Sequence, residues 1–125
     1  MMPQRSGTVF VVDDDMSVRK ALERLLRSAG YRALTFESAE DFLDATSSRS
    51  EGCLILDIRL PGITGLDLQE KLASSGAKYS VIIITAHDEP GWSDRASKAG
   101  AVAFLKKPFH EHLLLDAVEL ACGKP

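Results

Sequence analysis

Apolar runs and helical periodicities alternate along this chain five times. Residues 8–12 (TVFVV) predict a buried strand. Val18, Ala21, Leu22, Leu25, Leu26 and Ala29 then recur at spacings of three and four, which is one face of a helix, and Gly30 stands where such a helix ends. Residues 31–36 predict a second strand, less apolar and therefore at a sheet edge. Ser38 and Asp41 form an S-x-x-D cap for a helix running to about Ala45, and residues 47–52 (SSRSEG) predict a turn. The third apolar run, CLIL at 53–56, stops at Asp57. Thr64 and Asp67 repeat the cap before a helix carrying Leu68 and Leu72. Residues 81–84 (VIII) are the most apolar strand and end at Thr85. A weak helix over about 90–99 opens on Pro90 and Gly91 and carries little beyond Trp92, Ala96 and Ala99. Residues 101–105 (AVAFL) predict a fifth strand, and Leu113, Leu114, Ala117, Val118 and Ala121 mark the inner face of a last helix.

Strands this continuously apolar are covered on both faces, so the (βα)5 order implies an α/β fold with a parallel sheet between two helical layers. Right-handed crossovers leave few topologies. The expected one is the doubly wound, flavodoxin-like order 2-1-3-4-5. With 125 residues the chain predicts a single domain over 1–125, its core over about 7–121, with no internal repeat, low-complexity tract or long linker.

Composition narrows the function. A net charge of −3 carries no basic footprint, so this segment is not expected to contact nucleic acid. Cys53 lies in an apolar run and reads as a core residue. Cys53 and Cys122 form no CxxC, and two unpatterned cysteines fit a reducing compartment. No apolar stretch approaches 18 residues and the N-terminus has no signal-peptide layout, so no membrane association is expected and the cytoplasm is the expected location.

The polar residues that interrupt the pattern all fall at strand ends. Asp13 and Asp14 end the first strand, Asp57 the third and Thr85 the fourth; Lys107 follows the fifth. Ligands of doubly wound sheets bind at the carboxyl ends of the strands, where the strand order reverses, here between strands one and three. Asp13, Asp14 and Asp57 are therefore expected to share one crevice flanked by Thr85 and Lys107. Taken singly, each has a plainer reading: turn or cap acids for the triplet Asp13–Asp15, a Pro-Gly loop opening for Asp57, a strand residue for Thr85, a solvated charge for Lys107. Three carboxylates in one pocket do not all ionise cheaply, and a hard divalent cation such as Mg2+ relieves them. Carboxylates, a cation, a hydroxyl and an ammonium together make a phosphoryl-transfer pocket. Asp57 is the carboxylate left to attack phosphorus and form an acyl phosphate.

These residues, with VVDD at 11–14, LDIRLPGITG at 56–65, ITA at 84–86 and KPF at 107–109, resemble the receiver domain of two-component response regulators over nearly the whole chain. AGAVAFLKKPF at 99–109 is similar to the receivers of FixJ-like regulators. The resemblance implies a phosphorylation switch. Asp57 takes the place of the phosphoacceptor. Asp13 and Asp14 match the acidic pair that holds Mg2+, with the main-chain carbonyl of Arg59 as a further ligand. Thr85 matches the switch hydroxyl, Phe104 the switch aromatic and Lys107 the phosphoryl-contacting lysine, with a cis peptide at Lys107–Pro108. Arg59, Ala86 and His87 sit where the family tunes the site. Asp15 fits the pattern less well and reads as the cap of the helix starting near Ser17. His110 and His112 have no metal spacing and read as surface residues.

The implied partners are a sensor histidine kinase, docking near Val18, Arg19, Leu22, Phe109 and His110, and an output domain or protein reading the face of helix 4, strand 5 and helix 5. A phosphorylation-dependent homodimer is a further option, and Trp92 reads equally as core edge or interface anchor. Such a protein is not an enzyme beyond its own phosphorylation and dephosphorylation. Two alternatives remain at this point. D-x-D-x-S at Asp13, Asp15 and Ser17 also resembles the start of a haloacid-dehalogenase-type phosphatase with Asp13 as nucleophile, although such enzymes need a longer chain. A binding-only pseudo-receiver is the other. A flavin or mononucleotide domain is disfavoured because no G-x-G-x-x-G or P-loop follows the first strand.

Overall fold

The computed structural model describes residues 8–46 and 51–125. Strands and helices alternate: β1 (Thr8–Val12), α1 (Met16–Ser28), β2 (Arg32–Phe36), α2 (Ala39–Ala45), β3 (Glu51–Asp57), α3 (Gly65–Ser74), β4 (Lys78–Thr85), α4 (Trp92–Lys98), β5 (Ala103–Lys106) and α5 (Glu111–Cys122). The sheet is wholly parallel in the order β2-β1-β3-β4-β5, as the alternation predicts.

Successive strand residues point to opposite faces, which explains why the central strands are apolar throughout. Phe10, Val12, Leu54, Leu56 and Ile83 pack on Phe42 of α2, Leu66, Leu68 and Leu72 of α3 and Ala96 of α4. Val9, Val11, Cys53, Ile55, Ile82 and Ile84 pack on Leu22 and Leu26 of α1 and Leu114, Ala117 and Val118 of α5. Three helices start on side-chain caps: Asp15 accepts from the Ser17 amide (2.8 Å), Ser38 from Asp41 (3.0 Å) and Thr64 from Asp67 (3.1 Å).

Several details depart from the pattern. β3 and β4 begin earlier than their apolar runs because Glu51 and Gly52 pair with Lys78 and Tyr79, so backbone bonding extends strands whose side chains give no apolar signal. The expected turn over 47–52 is thus replaced by strand at Glu51 and Gly52; 47–50 lie outside the described residues. α4 is shorter than 90–99 because Gly91, at φ 89°, breaks the helix before Trp92. β5 starts at Ala103, since the Ala101 amide still closes the turn after α4 by donating to the Ala96 carbonyl (2.9 Å). Ala21 and Leu113, expected on inner faces, are exposed. The buried stripe of α5 centres on Leu114, Ala117 and Val118, and Leu113 is rotated about 100° from Leu114, toward solvent.

The cysteines also differ. Cys53 is buried, as its apolar surroundings imply, but it is disulfide-bonded to Cys122 at the end of α5. Nothing in their spacing signalled the pair. β3 and α5 meet only through the crossover topology, which brings the two Cα atoms to 5.8 Å.

Candidate functional site

Four strand ends converge on one crevice. The β1 ladder continues one residue past the strand, where the Asp13 amide donates to the Phe36 carbonyl (3.1 Å). On β3 the next residue, Ile58, donates to the Ile84 carbonyl (3.3 Å), and Lys107 donates its amide to the Thr85 carbonyl (2.8 Å). These backbone bonds place Asp13, Asp57, Thr85 and Lys107 side by side. Asp14 projects from the β1–α1 loop and is exposed. One carboxylate oxygen from each of Asp13, Asp14 and Asp57 lies within 4.8 Å of the others.

The buried Asp13 is fully engaged by the chain: Oδ2 accepts from Lys107 Nζ (2.7 Å) and Oδ1 from the Asp15 amide (2.9 Å). Its carbonyl accepts from Arg19 Nη1 (2.8 Å), which ties the loop to α1. Asp57 is held more loosely. Oδ1 accepts a long bond from the Arg59 amide (3.4 Å), and Oδ2 stands 3.6 Å from Lys107 Nζ. Burial, reinforced by the charge of Asp13, pushes the Asp57 carboxyl from 3.8 up to about 6, with Lys107 and the Arg59 amide pulling the other way. Burial alone would push the Lys107 ammonium down. The hydrogen bond that Lys107 donates to Asp13 and the charges of Asp57 and Asp13 outweigh it and hold Lys107 above its usual range. One ammonium thus meets two of the three clustered carboxylates, and hard oxygen donors with excess negative charge suit a divalent cation such as Mg2+.

Thr85 is buried beside this cluster, but its hydroxyl donates to the His87 carbonyl (2.8 Å) and accepts from the His87 amide (3.2 Å). It is turned onto its own loop. Ala86, Arg59 and His87 are exposed. The His87 ring pairs with Glu89 (3.0 Å) and meets Trp92 edge to face at 6.2 Å. Trp92 and Phe104 are half-buried, and each packs against the core layer that contains Ala96. The Lys107–Pro108 peptide is cis.

Of the residues expected to meet a kinase, Val18, Arg19 and Phe109 are half-buried and His110 is exposed, but Leu22 is 4% exposed and belongs to the core. It sits on the inner stripe of α1 and offers nothing to a partner. His110 and His112 are exposed and stack on each other at 5.5 Å.

Two supporting residues had no chemical signal of their own. Arg19 is one. Gly65 is the other: as the first residue of α3 it donates to the Ile58 carbonyl (2.9 Å), and a Cβ there would overlap the Asp57 carbonyl. The invading atom meets backbone, which cannot swing aside. Gly65→Ala is therefore expected to cost about 2 kcal/mol or more and to displace Asp57; urea unfolding measures the first effect, and phosphoryl uptake the second. The legible hint was a glycine opening a capped helix beside a strand end.

On the far side of the crevice α3 and α4 are fastened together. The buried Gln69 donates Nε2 to the Ala96 carbonyl (2.9 Å), and at the surface Arg95 bonds Glu70 (2.7 Å) and Asp67 (3.0 Å).

The family model of the response regulator receiver domain matches residues 9–119. The transcriptional regulatory protein TdiR of Thauera aromatica is 46% identical over 116 residues, which are 93% of this chain and 51% of TdiR. Among solved structures, the response regulator StyR superposes with a TM-score of 0.86 at 50% identity, covering 92% of this chain and 58% of that one. FixJ-N superposes with a TM-score of 0.85 at 34% identity, covering 98% and 95%. The chain spans about half the length of the curated relatives it matches.

Proposed function

The chain belongs to the response regulator receiver domain family, and from that premise we propose that it is a signalling switch thrown by phosphorylation of Asp57. The observation that carries the reading is the placement of Asp57, buried at the end of β3 with Asp13, Asp14 and Lys107 around it. Asp13 supports the phosphatase alternative poorly, because both its carboxylate oxygens already accept hydrogen bonds.

The phosphoryl donor is a phosphohistidine of a sensor kinase. The ionised Asp57 carboxylate attacks phosphorus, the P–N bond breaks, and the imidazole leaves with its electron pair as an acyl phosphate forms. Asp13, Asp14 and Asp57, with the Arg59 main-chain carbonyl as a further ligand, would hold Mg2+, which would supply electrostatic stabilisation of the phosphoryl oxygens. Lys107, already 3.6 Å from Asp57, is placed to meet the transferred group. The Thr85 hydroxyl has to leave the His87 carbonyl to do the same.

That exchange biases two states of the α4-β5-α5 face, with Phe104 following the hydroxyl inward. Taking the active state from 1:99 to 99:1 needs about 5.5 kcal/mol of differential contact. One charge-assisted hydrogen bond supplies roughly 1.5–3 kcal/mol, so Thr85 and Lys107 act together. Arg59, Ala86 and His87, exposed around the crevice, tune access of water to the acyl phosphate. The kinase docks near Val18, Arg19, Phe109 and His110. An output domain or partner, or a second phosphorylated copy, reads the α4-β5-α5 face, where Leu113 and Leu120 are exposed. Transcriptional control, named for TdiR, is the output this reading favours. No helix among the described residues is long and apolar enough to cross a membrane, and we place the switch in the cytoplasm.

Incubation with a small phosphoryl donor and Mg2+, followed by peptide mapping, tests the assignment. One phosphoryl group is expected on the peptide containing Asp57, and chelating the metal should slow uptake at least about tenfold. A phosphoryl group on the Asp13 peptide instead would overturn the reading.

A further inference from the structure

Three contacts gather where α5 ends. Cys122, its last residue, is bonded to Cys53 in β3. The buried Tyr31 hydroxyl donates to the Gly123 carbonyl (2.8 Å). Pro125 lies over Gly30, close enough that a Cβ there would stand 3.2 Å from its ring. Residues 122–125 are thereby held across the turn between α1 and β2.

The fold does not need this bond as a staple. A chain of this size buries a core sufficient to hold itself, and Leu114, Ala117 and Val118 fix α5 to the sheet. Breaking the bond would free the last turn of α5 and the segment after it, and leave the rest of the helix packed. The two cysteines also differ in exposure as residues. Cys53 is 1% exposed, enclosed by the second apolar layer, whereas Cys122 is half-buried at the surface. That pairing of one partly exposed and one enclosed cysteine suits ordered exchange: attack from solvent at one position and resolution from within by the other. The chain has two cysteines, so no third thiol competes.

We propose that Cys53 and Cys122 form a reversible thiol–disulfide site, oxidised by low-molecular-weight disulfides such as oxidised glutathione, that clamps the end of α5 onto the sheet. In the forward direction the Cys122 thiolate attacks one sulfur of oxidised glutathione. The S–S bond breaks, and one glutathione leaves as its thiolate and takes a proton. The Cys53 thiol then gives up its proton and attacks the Cys122 sulfur of the mixed disulfide. This forms the Cys53–Cys122 bond and releases the second glutathione. Two protein thiols are oxidised and one small disulfide is reduced to two thiols. Reduced glutathione drives the reverse. Because the bonded cysteine on β3 lies on the strand that ends in Asp57, the clamp joins the strand of the phosphorylation site to the exit of α5. The site stands independently of the phosphorylation reading.

The test uses the whole 125-residue chain, unphosphorylated and equilibrated in glutathione buffers from fully reduced to fully oxidised. The expected result is a conversion within that range from two titratable thiols to none, with an intact mass lower by two hydrogen atoms. Amides of 119–124 should exchange about tenfold more slowly in the oxidised form. Cys122→Ser should show neither change while keeping the wild-type far-UV spectrum. Should that variant fail to fold, the wild-type titration decides alone. A bond that persists in fully reduced buffer would overturn the proposal by making the pair a permanent staple. Two free thiols or a lasting glutathione adduct in oxidised buffer would overturn it as well, as would exchange rates indifferent to oxidation.

Discussion

Asp57→Asn should stabilise the metal-free protein at pH 7 by about 2 kcal/mol while abolishing phosphoryl uptake. The sign follows from the position of the carboxyl. In the unfolded chain it titrates near 3.8; in the fold, burial and Asp13 raise it to about 6. Between those values the folded protein binds more protons than the unfolded one, so stability falls as pH rises through this window. At pH 7 the ionised group therefore costs the fold about 3 kcal/mol at most, and asparagine removes that cost while giving up the attraction of Lys107. Urea unfolding of both proteins from pH 4 to 7 should show curves that coincide near pH 4 and separate above it. Equal stability at pH 7 would mean that Asp57 ionises without strain and that the crevice is not an electrostatically loaded site. Loss of uptake with a gain in stability is the pattern of a residue kept for its chemistry at the expense of the fold.

Lys107→Met should do the reverse. Its ammonium bonds the fully buried Asp13 at 2.7 Å, and removing it leaves that carboxylate with no cation in contact. Breaking a buried pair from one side costs about 3–5 kcal/mol, and methionine keeps the aliphatic stem so that lost packing adds little. The Lys107 ammonium lies above its usual range, so its contribution is fully present below pH 10.5 and is lost only as the pH rises through the still higher folded value. A double-mutant cycle with Asp13→Asn isolates the pair: once Asp13 is neutral, Lys107→Met should cost under about 1 kcal/mol. A cost of that size in the wild-type background would show that the two groups are not coupled. The variant should also fail to transmit phosphorylation to the α4-β5-α5 face, because Thr85 alone supplies too little of the needed bias.

The sequence was most legible where one residue type admits one physical explanation. The apolar runs located the five strands, though not the starts of β3, β4 and β5, since the centre of a strand covered on both faces has little room for polar residues. The strand-end aspartates and Lys107 were readable because charges stopping an apolar run are conspicuous. Less legible was whatever depends on backbone partners or on distant topology. Glu51 and Lys78 are ordinary surface charges until the strands pair. Leu113 and Ala21 looked like inner-face residues because an apolar residue at an exposed position mimics the periodicity. The Cys53–Cys122 bond is set by a crossover that brings β3 to α5. The orientation of the Thr85 hydroxyl, turned to the His87 carbonyl, could not be read from residue identity at all.

The amide of Gln69 has a last consequence. α4 is seven residues long, begins at a left-handed glycine and has no side-chain cap, well short of the length at which a helix holds itself in water. Its order is borrowed. Nε2 of Gln69 reaches from α3 to the Ala96 carbonyl inside the core, while the Arg95 pairs with Glu70 and Asp67 are exposed and add little each. The helix is therefore ready to melt and reform on its own, and its tie to α3 opposes this. A ligand that grips the outer face of α3 can change the lifetime of α4 without touching it, and the surface offered to a partner becomes a matter of occupancy in time as much as of shape.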